Sequence, residues 1–439
     1  MVLSQRVGIR INRIAKIRNK LLILFSLFLA SSCQTQAQAL APDVSQQAVG
    51  YPTATPFQPE TGLYTSPYES PAPVPSSLAT LLAPGRLPLE QLRVPTSQVV
   101  GGSNQPIFYT SSRVNPITGL IVADPQLLER RPIAIKITQY PRYVRPQLGL
   151  TLADVAFEYY IEDGLTRFIA VFYGNNSDMV GPVRSGRYFD EHVVRMYQAF
   201  FVFKYADPRV YDYYKKSDLE RRLIVPGVGA CPPFVVGPGN RDTYNNIFLN
   251  TTKFNDCIAK RSGVDNDRPS LHSSFFSFIP PQSSEKAARI FTQYSLDDYN
   301  YWEYLPAENK YLRYQEVDDL RKDKPPSYAP LFDAITNSQV KADNVVVLFA
   351  PHVFATKNEE EDEVYHIDLL DSGPAYVFRN GIVIQAEWTR IQEDQPLLLT
   401  SSQGLPVYLK PGVTFYQVIG TSSETWHDSS DWHFIFDTP

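Results

Sequence analysis

The chain has 439 residues, 20% charged and 43% hydrophobic, with a formal net charge of −5. That length accommodates two folded domains beyond any targeting segment. The slight acid excess argues against a broad basic surface for nucleic acid, which needs clustered Lys and Arg.

Residues 1–33 read as an export signal. Arg6, Arg10, Arg13, Lys16, Arg18 and Lys20 form a positive start, and residues 21–30 an apolar stretch too short to span a bilayer comfortably. Leu29-Ala30-Ser31-Ser32-Cys33 resembles a bacterial lipobox, in which the cysteine becomes the lipidated first residue of the mature chain. The competing reading is cleavage after Ala37-Gln38-Ala39 and secretion without an anchor. The lipobox is preferred because Cys33 directly follows the apolar core. The expected location is therefore the outer face of the cytoplasmic membrane or the cell envelope, with the membrane as a partner through the lipid.

Residues 34–112 are dense in Pro, Ser, Thr, Gln and Ala and poor in charge. Such a segment buries too little apolar surface to offset its ordering entropy, and proline keeps it extended. A disordered tether is expected.

Residues 113–274 read as an α+β domain. A buried strand is predicted at 132–137. Val155, Phe157, Tyr159 and Ile161 alternate with Ala156, Glu158, Tyr160 and Glu162, and Asp163-Gly164 suits a type I′ turn into a return strand at 165–173. A plain two-residue turn sets Tyr160 opposite Arg167, with Glu158 and Glu162 diagonally beside it. The three charged side chains then share one face. That face is either solvated, with a cross-strand ion pair, or the polar wall of a ligand groove.

At 181–187, Gly-Pro-Val-Arg-Ser-Gly-Arg feeds a helix in which Phe189, Val193, Tyr197 and Phe200 recur at near-helical spacing. Arg184 and Arg187, with the backbone of Ser185 and Gly186, make an anion site at that helix start. The competing reading, preferred because ion-pair networks mimic functional sites, has both arginines bracing Glu158, Glu162 or Asp190. Beyond it, 200–205 is a strand, 215–222 a charged helix or loop, and 284–294 a helix with Ala287, Ala288 and Phe291 on one side. Cys231 and Cys257 form either a disulfide or two buried thiols.

Residues 275–420 read as a β-rich domain, sandwich or barrel-like. Short strands are predicted at 311–314, 345–350, 364–370, 375–379, 382–388, 407–409 and 415–419, with an Asn380-Gly381 hairpin turn. The acidic run 359–363 suits a solvated loop tip. Residues 421–439 are expected to be a semi-ordered aromatic tail. Its Trp426-His427-Asp428 and Asp431-Trp432-His433 match no known metal-ligand spacing, so no metal or cofactor is assigned.

Several motifs together resemble the YerB-like family of bacterial lipoproteins. They are Asn115-Pro116-Ile117-Thr118-Gly119-Leu120, Arg131-Pro132-Ile133-Ala134-Ile135-Lys136, Arg145-Pro146-Gln147, Gly164-Leu165-Thr166-Arg167-Phe168 and Gly181-Pro182-Val183-Arg184-Ser185. In the second half, Tyr311-Leu312-Arg313-Tyr314, Asp371-Ser372-Gly373-Pro374-Ala375 and Trp388-Thr389-Arg390 are similar to its C-terminal domain. The resemblance implies two domains and a lipid anchor at Cys33, and carries no assigned activity. One departure stands at 245–251, where the family pattern's Pro-His pair is missing.

Two functions follow. The first is a non-catalytic binding or scaffold protein of the envelope, engaging a wall polymer or an envelope protein through Glu158, Glu162, Arg167, Arg184, Ser185 and Arg187. No H-E-x-x-H, G-x-S-x-G, P-loop or C-x-x-C motif is present. The second is a wall-acting hydrolase or transferase using Glu158 or Glu162 as acid or base.

Overall fold

The computed structural model describes residues 113–227, 233–237, 242, 244–271, 275–356 and 363–437. The export signal with Cys33, the tether, Cys231 and residues 359–362 of the acidic run lie outside them.

The N-terminal half supplies β1 (Ile133–Thr138), β2 (Val155–Glu162), β3 (Leu165–Phe172), α1 (Asp190–Met196), β4 (Phe200–Val202), α2 (Pro208–Lys216) and β5 (Leu223–Ile224). Next come β6 (Arg289–Gln293), β7 (Tyr299–Leu305), β8 (Lys310–Glu316) and β9 (Tyr328–Pro330). The chain ends with β10 (Asn344–Ala350), β11 (Asp371–Arg379), β12 (Ile382–Arg390), β13 (Leu398–Ser401), β14 (Thr414–Gly420), β15 (Glu424–Asp428) and β16 (Asp431–Ile435).

These strands make two large sheets. One has ten strands in the order β13-β12-β11-β10-β14-β2-β3-β1-β4-β5. It draws on both halves of the chain, joined where β14 runs parallel to β2 with Val155 opposite Thr414 and Tyr159 opposite Val418. The other sheet has the order β9-β8-β7-β6-β16-β15, with Lys341–Ala342 added beside β8. The N-terminal part is thus mixed α and β and the C-terminal part β-rich, as the sequence predicts, and the two share a sheet.

Opposite faces of β2 and β3 meet different layers. Phe157 and Tyr159 pack on Phe189 at the start of α1, with ring centroids 6.3 and 4.2 Å apart. On the other face, Phe168 meets Phe415, which meets Trp302 of β7 at 4.9 Å. A helical layer covers one side and the second sheet the other.

Three expectations are corrected. The segment 284–294 contains strand β6 rather than a helix. Its Ile290 and Thr292 are buried while Phe291 between them is not, a period of two that overrode the helical look of the alanines. The C-terminal tail is an integral hairpin: β16 runs parallel to β6, and Trp432 is 2% exposed. Its His433 ring stacks between Trp426 and Phe291, which commits it to packing. Finally, Glu363, at the end of the acidic run, is not a solvated tip. It accepts the Asp163 backbone N–H at 2.6 Å and the Tyr160 hydroxyl, and so caps the β2–β3 turn.

Cys257 is buried and disulfide-bonded.

Candidate functional site

The Asp163-Gly164 turn forms as predicted, with φ of 54° and 74°. The register beyond it does not. Glu162 pairs with Leu165, but a β-bulge follows, so Tyr160 faces Thr166 and Tyr159 faces Arg167. One extra residue moves every side chain behind it to the opposite face. Glu158 therefore points at the second sheet, while Glu162 and Arg167 stay on the helical side. The single face expected for Glu158, Glu162 and Arg167 is split in two.

On the second-sheet side, Glu158 is 0% exposed. It accepts two hydrogen bonds from the Arg313 guanidinium, at 2.7 and 2.8 Å. Gln139, Thr166 and Gln417 donate to the same carboxylate at 2.6, 3.1 and 3.1 Å. Burial alone pushes this acid up, but the Arg313 charge and these donors hold it below its ordinary value. Asp298 and Glu316 continue the seam. Burial, and then the charge of Glu158, raises Asp298 to about 6. Burial, and then Asp298, raises Glu316 to about 7, although Arg145 donates to its carboxylate at 2.6 Å. Glu158 is thus removed from any ligand surface, and from the acid–base role suggested for it, because no substrate atom reaches it.

The helical side holds the other predicted residues. The loop 181–187 lies between β1 and the segment after β4. Arg184 N–H donates to Lys136 O, Lys204 N–H to Arg184 O and Gly186 N–H to Tyr205 O, at 3.0, 2.9 and 3.1 Å. Gly181 starts the loop at φ 147°, and a Cβ there would sit 2.7 Å from the Val183 nitrogen, so the turn needs glycine.

Arg167, Arg184, Ser185 and Arg187 are brought together, with Lys136 and Lys204 beside them. Arg167 donates to Ser185 O at 3.0 Å. Arg187 Nε donates to Glu162 at 2.7 Å, and Arg167 reaches the same carboxylate at 3.8 Å. Below them Lys136, fully buried, pairs with Asp190 at 2.9 Å, and Tyr159 donates to that carboxylate at 2.6 Å. Among the described residues, four cations, Lys136, Arg167, Arg184 and Arg187, thus surround two carboxylates, Glu162 and Asp190, with Lys204 alongside. The neighbouring Asp207 is engaged by Arg209 at 2.8 Å.

This excess shows in the charges themselves. Burial, partly offset by Asp190, lowers Lys136 to about 7, and Arg167 pushes it the same way. Burial and then Arg187 lower both Arg167, to about 9, and Arg184. Burial and then Arg184 lower Lys204. Each of these groups gains from a nearby negative charge. Among the described residues Arg184 Nε is buried without a hydrogen-bond partner, so the guanidinium is not fully satisfied by the protein.

The helix start does not contribute as predicted. The Asp190 carboxylate takes the Arg187 N–H at 2.7 Å, and the Gly186 N–H is spent on Tyr205. Side chains, not helix-end amides, supply the positive charge. Sequence reasoning missed Lys136, Lys204 and Arg313, and named Asp190 only as a brace for the arginines. Lys136 left a signal, being the one charged residue inside an apolar strand. Arg313 left a weaker one, in its alternation with Tyr311 and Gln315.

Fold and sequence together place the molecule in a class of two-part proteins of unknown function. Residues 117–265 match the N-terminal domain, and residues 290–416 the C-terminal domain, of the protein of unknown function family DUF3048. The chain belongs to this YerB-like family. It is 24% identical over 292 residues to a Bacillus subtilis (strain 168) protein named "Putative lipoprotein YerB", covering 63% of this chain and 78% of the relative. The crystal structure of YerB from Bacillus subtilis shares its fold. The TM-score is 0.58 at 20% identity, over 70% of this chain and 96% of that one.

Proposed function

We propose that this is a lipid-anchored envelope protein, attached through Cys33 and held off the membrane by the 34–112 tether, that binds anionic groups of a cell-wall polymer without turning them over. The observation that carries the reading is the cluster of Lys136, Arg167, Arg184 and Arg187, which among the described residues is paired with Glu162 and Asp190. Buried cations that outnumber their partners favour an anionic ligand. The lipobox-like Cys33 and a relative named as a lipoprotein support the location. The binding role is favoured over hydrolysis because Glu158 is sealed between the sheets and Glu162 is tied to Arg187.

The test mixes the detergent-solubilised full chain with purified wall sacculi at rising salt. Protein should pellet with the sacculi, more weakly as salt increases, with no fragments released into the supernatant. Release of defined fragments would overturn the non-catalytic reading. Absence of binding at low salt would remove the wall polymer as partner.

A further inference from the structure

We infer that the anion taken by this cluster is carried on a sugar ring, so that the ligand class is an acidic saccharide. This rests on the proposed anion-binding role of the cluster and adds what reads the rest of the ligand.

Tyr205 and Tyr244 flank the cations, and each is 62% exposed. The Lys204 ammonium lies 5.4 Å from the Tyr205 ring centroid, and the Arg184 guanidinium 5.6 Å from that of Tyr244. The Tyr244 carbonyl accepts from both Arg184 and Lys204 at 3.4 Å, so the two rings and two cations form one patch. Tyr205 sits at φ 62°, a conformation costly for a bulky side chain, and is held there by its hydrogen bond from Gly186.

A bare inorganic anion needs only the cations. Exposed rings beside them add apolar surface, which a ligand uses only if it has apolar surface of its own. A pyranose offers both. Its C–H face lies against an aromatic ring, while a carboxylate or phosphate in the ring plane reaches a neighbouring cation. The half-buried Arg184 guanidinium beside Tyr244 is the cation that such an oxygen would meet. A nucleotide also combines a flat face with an anion. It is disfavoured by the chain's net charge of −5 and by the export signal.

The test uses calorimetric titration of the full chain with oligogalacturonate, its methyl-esterified neutral form, polyphosphate and oligo(dT). Oligogalacturonate should bind at least ~10-fold more tightly than the neutral form, the equivalent of about 1.4 kcal/mol. Tyr205→Asn, chosen because Asn tolerates positive φ, and Tyr244→Ala should each weaken oligogalacturonate by roughly 10-fold while leaving polyphosphate within about 2-fold. Arg184→Gln should weaken both. If polyphosphate binds as well as oligogalacturonate and the tyrosine variants bind unchanged, the saccharide inference falls and the anion site stands. If no anion binds, the basic-cluster reading fails and takes this inference with it. Preferential binding of oligo(dT), lost in the tyrosine variants, would replace the saccharide with a single-stranded nucleic acid.

Discussion

The two faces of the β2–β3 hairpin carry opposite solutions to the same problem of buried charge. On the second-sheet side, Glu158 meets a bidentate arginine and three neutral donors, and its charge is fully met within the protein. On the helical side, Arg167 and Arg187 share Glu162, and Arg184 beside them leaves positive charge over, next to partly exposed surface. A matched buried pair is architecture. An unmatched group of like charges at the surface is what a ligand can complete. The difference separates a structural network from a candidate site where residue type alone does not.

The comparison breaks most sharply at Arg313. Arg313→Ala should cost about 3–5 kcal/mol in denaturant unfolding, because it strands the Glu158 carboxylate in the interior. Replacing both partners, as in Glu158→Leu with Arg313→Met, should recover much of that loss. A single-variant loss below about 1 kcal/mol would mean that the seam is more hydrated than its burial indicates.

The pH dependence should have two limbs of opposite sign. Asp298 is raised to about 6, so the folded state binds the extra proton between the ordinary carboxylate range and pH 6. Stability contributed by that proton is present at low pH and lost as pH rises through about 6. Lys136 is lowered to about 7, so the unfolded state binds the extra proton between pH 7 and about 10. That penalty is full below pH 7 and is relieved as pH rises. Each limb has a limiting slope of about 1.4 kcal/mol per pH unit. Asp298→Asn should reduce the acid limb, to which Glu316 and Asp154, both also raised, contribute the remainder, and should leave the alkaline limb unchanged. Lys136→Met combined with Asp190→Asn, which strands no charge, should flatten the alkaline limb only. Stability curves at a series of pH values check both, and a variant that changes the wrong limb would contradict the assignment.

Smaller effects belong to the surface of the cluster. Arg184→Gln should lower affinity for anionic polymer by roughly 10-fold and reduce its salt slope, with melting temperature little changed. Glu162→Gln should move stability by less than about 1 kcal/mol, since its pairs are partly exposed, and should tighten anion binding slightly. A loss of binding in Glu162→Gln would show that its carboxylate positions the arginines rather than merely diluting their charge.

Much was legible in the sequence because it depends on neighbours. Alternating aromatic and β-branched residues gave β1, β2, β3, β10, β11, β12 and β14, since side-chain period is a property of the local backbone. Asp163-Gly164 and Asn380-Gly381 announced their turns because few residues accept positive φ. The gathering of Arg167, Arg184, Ser185 and Arg187 was also anticipated. What only the tertiary structure decided was non-local. The bulge between Tyr160 and Glu162 turned Glu158 inward, and no turn signal announced it. Glu158 then found Arg313, 155 residues away in the chain. The joining of both halves in one sheet came from the parallel pairing of β2 with β14, whose backbone hydrogen bonds carry no residue code. Local stereochemistry writes the strands and turns into the sequence. Which buried charges are matched, and which are left for a ligand, depends on partners that only folding brings within hydrogen-bonding distance.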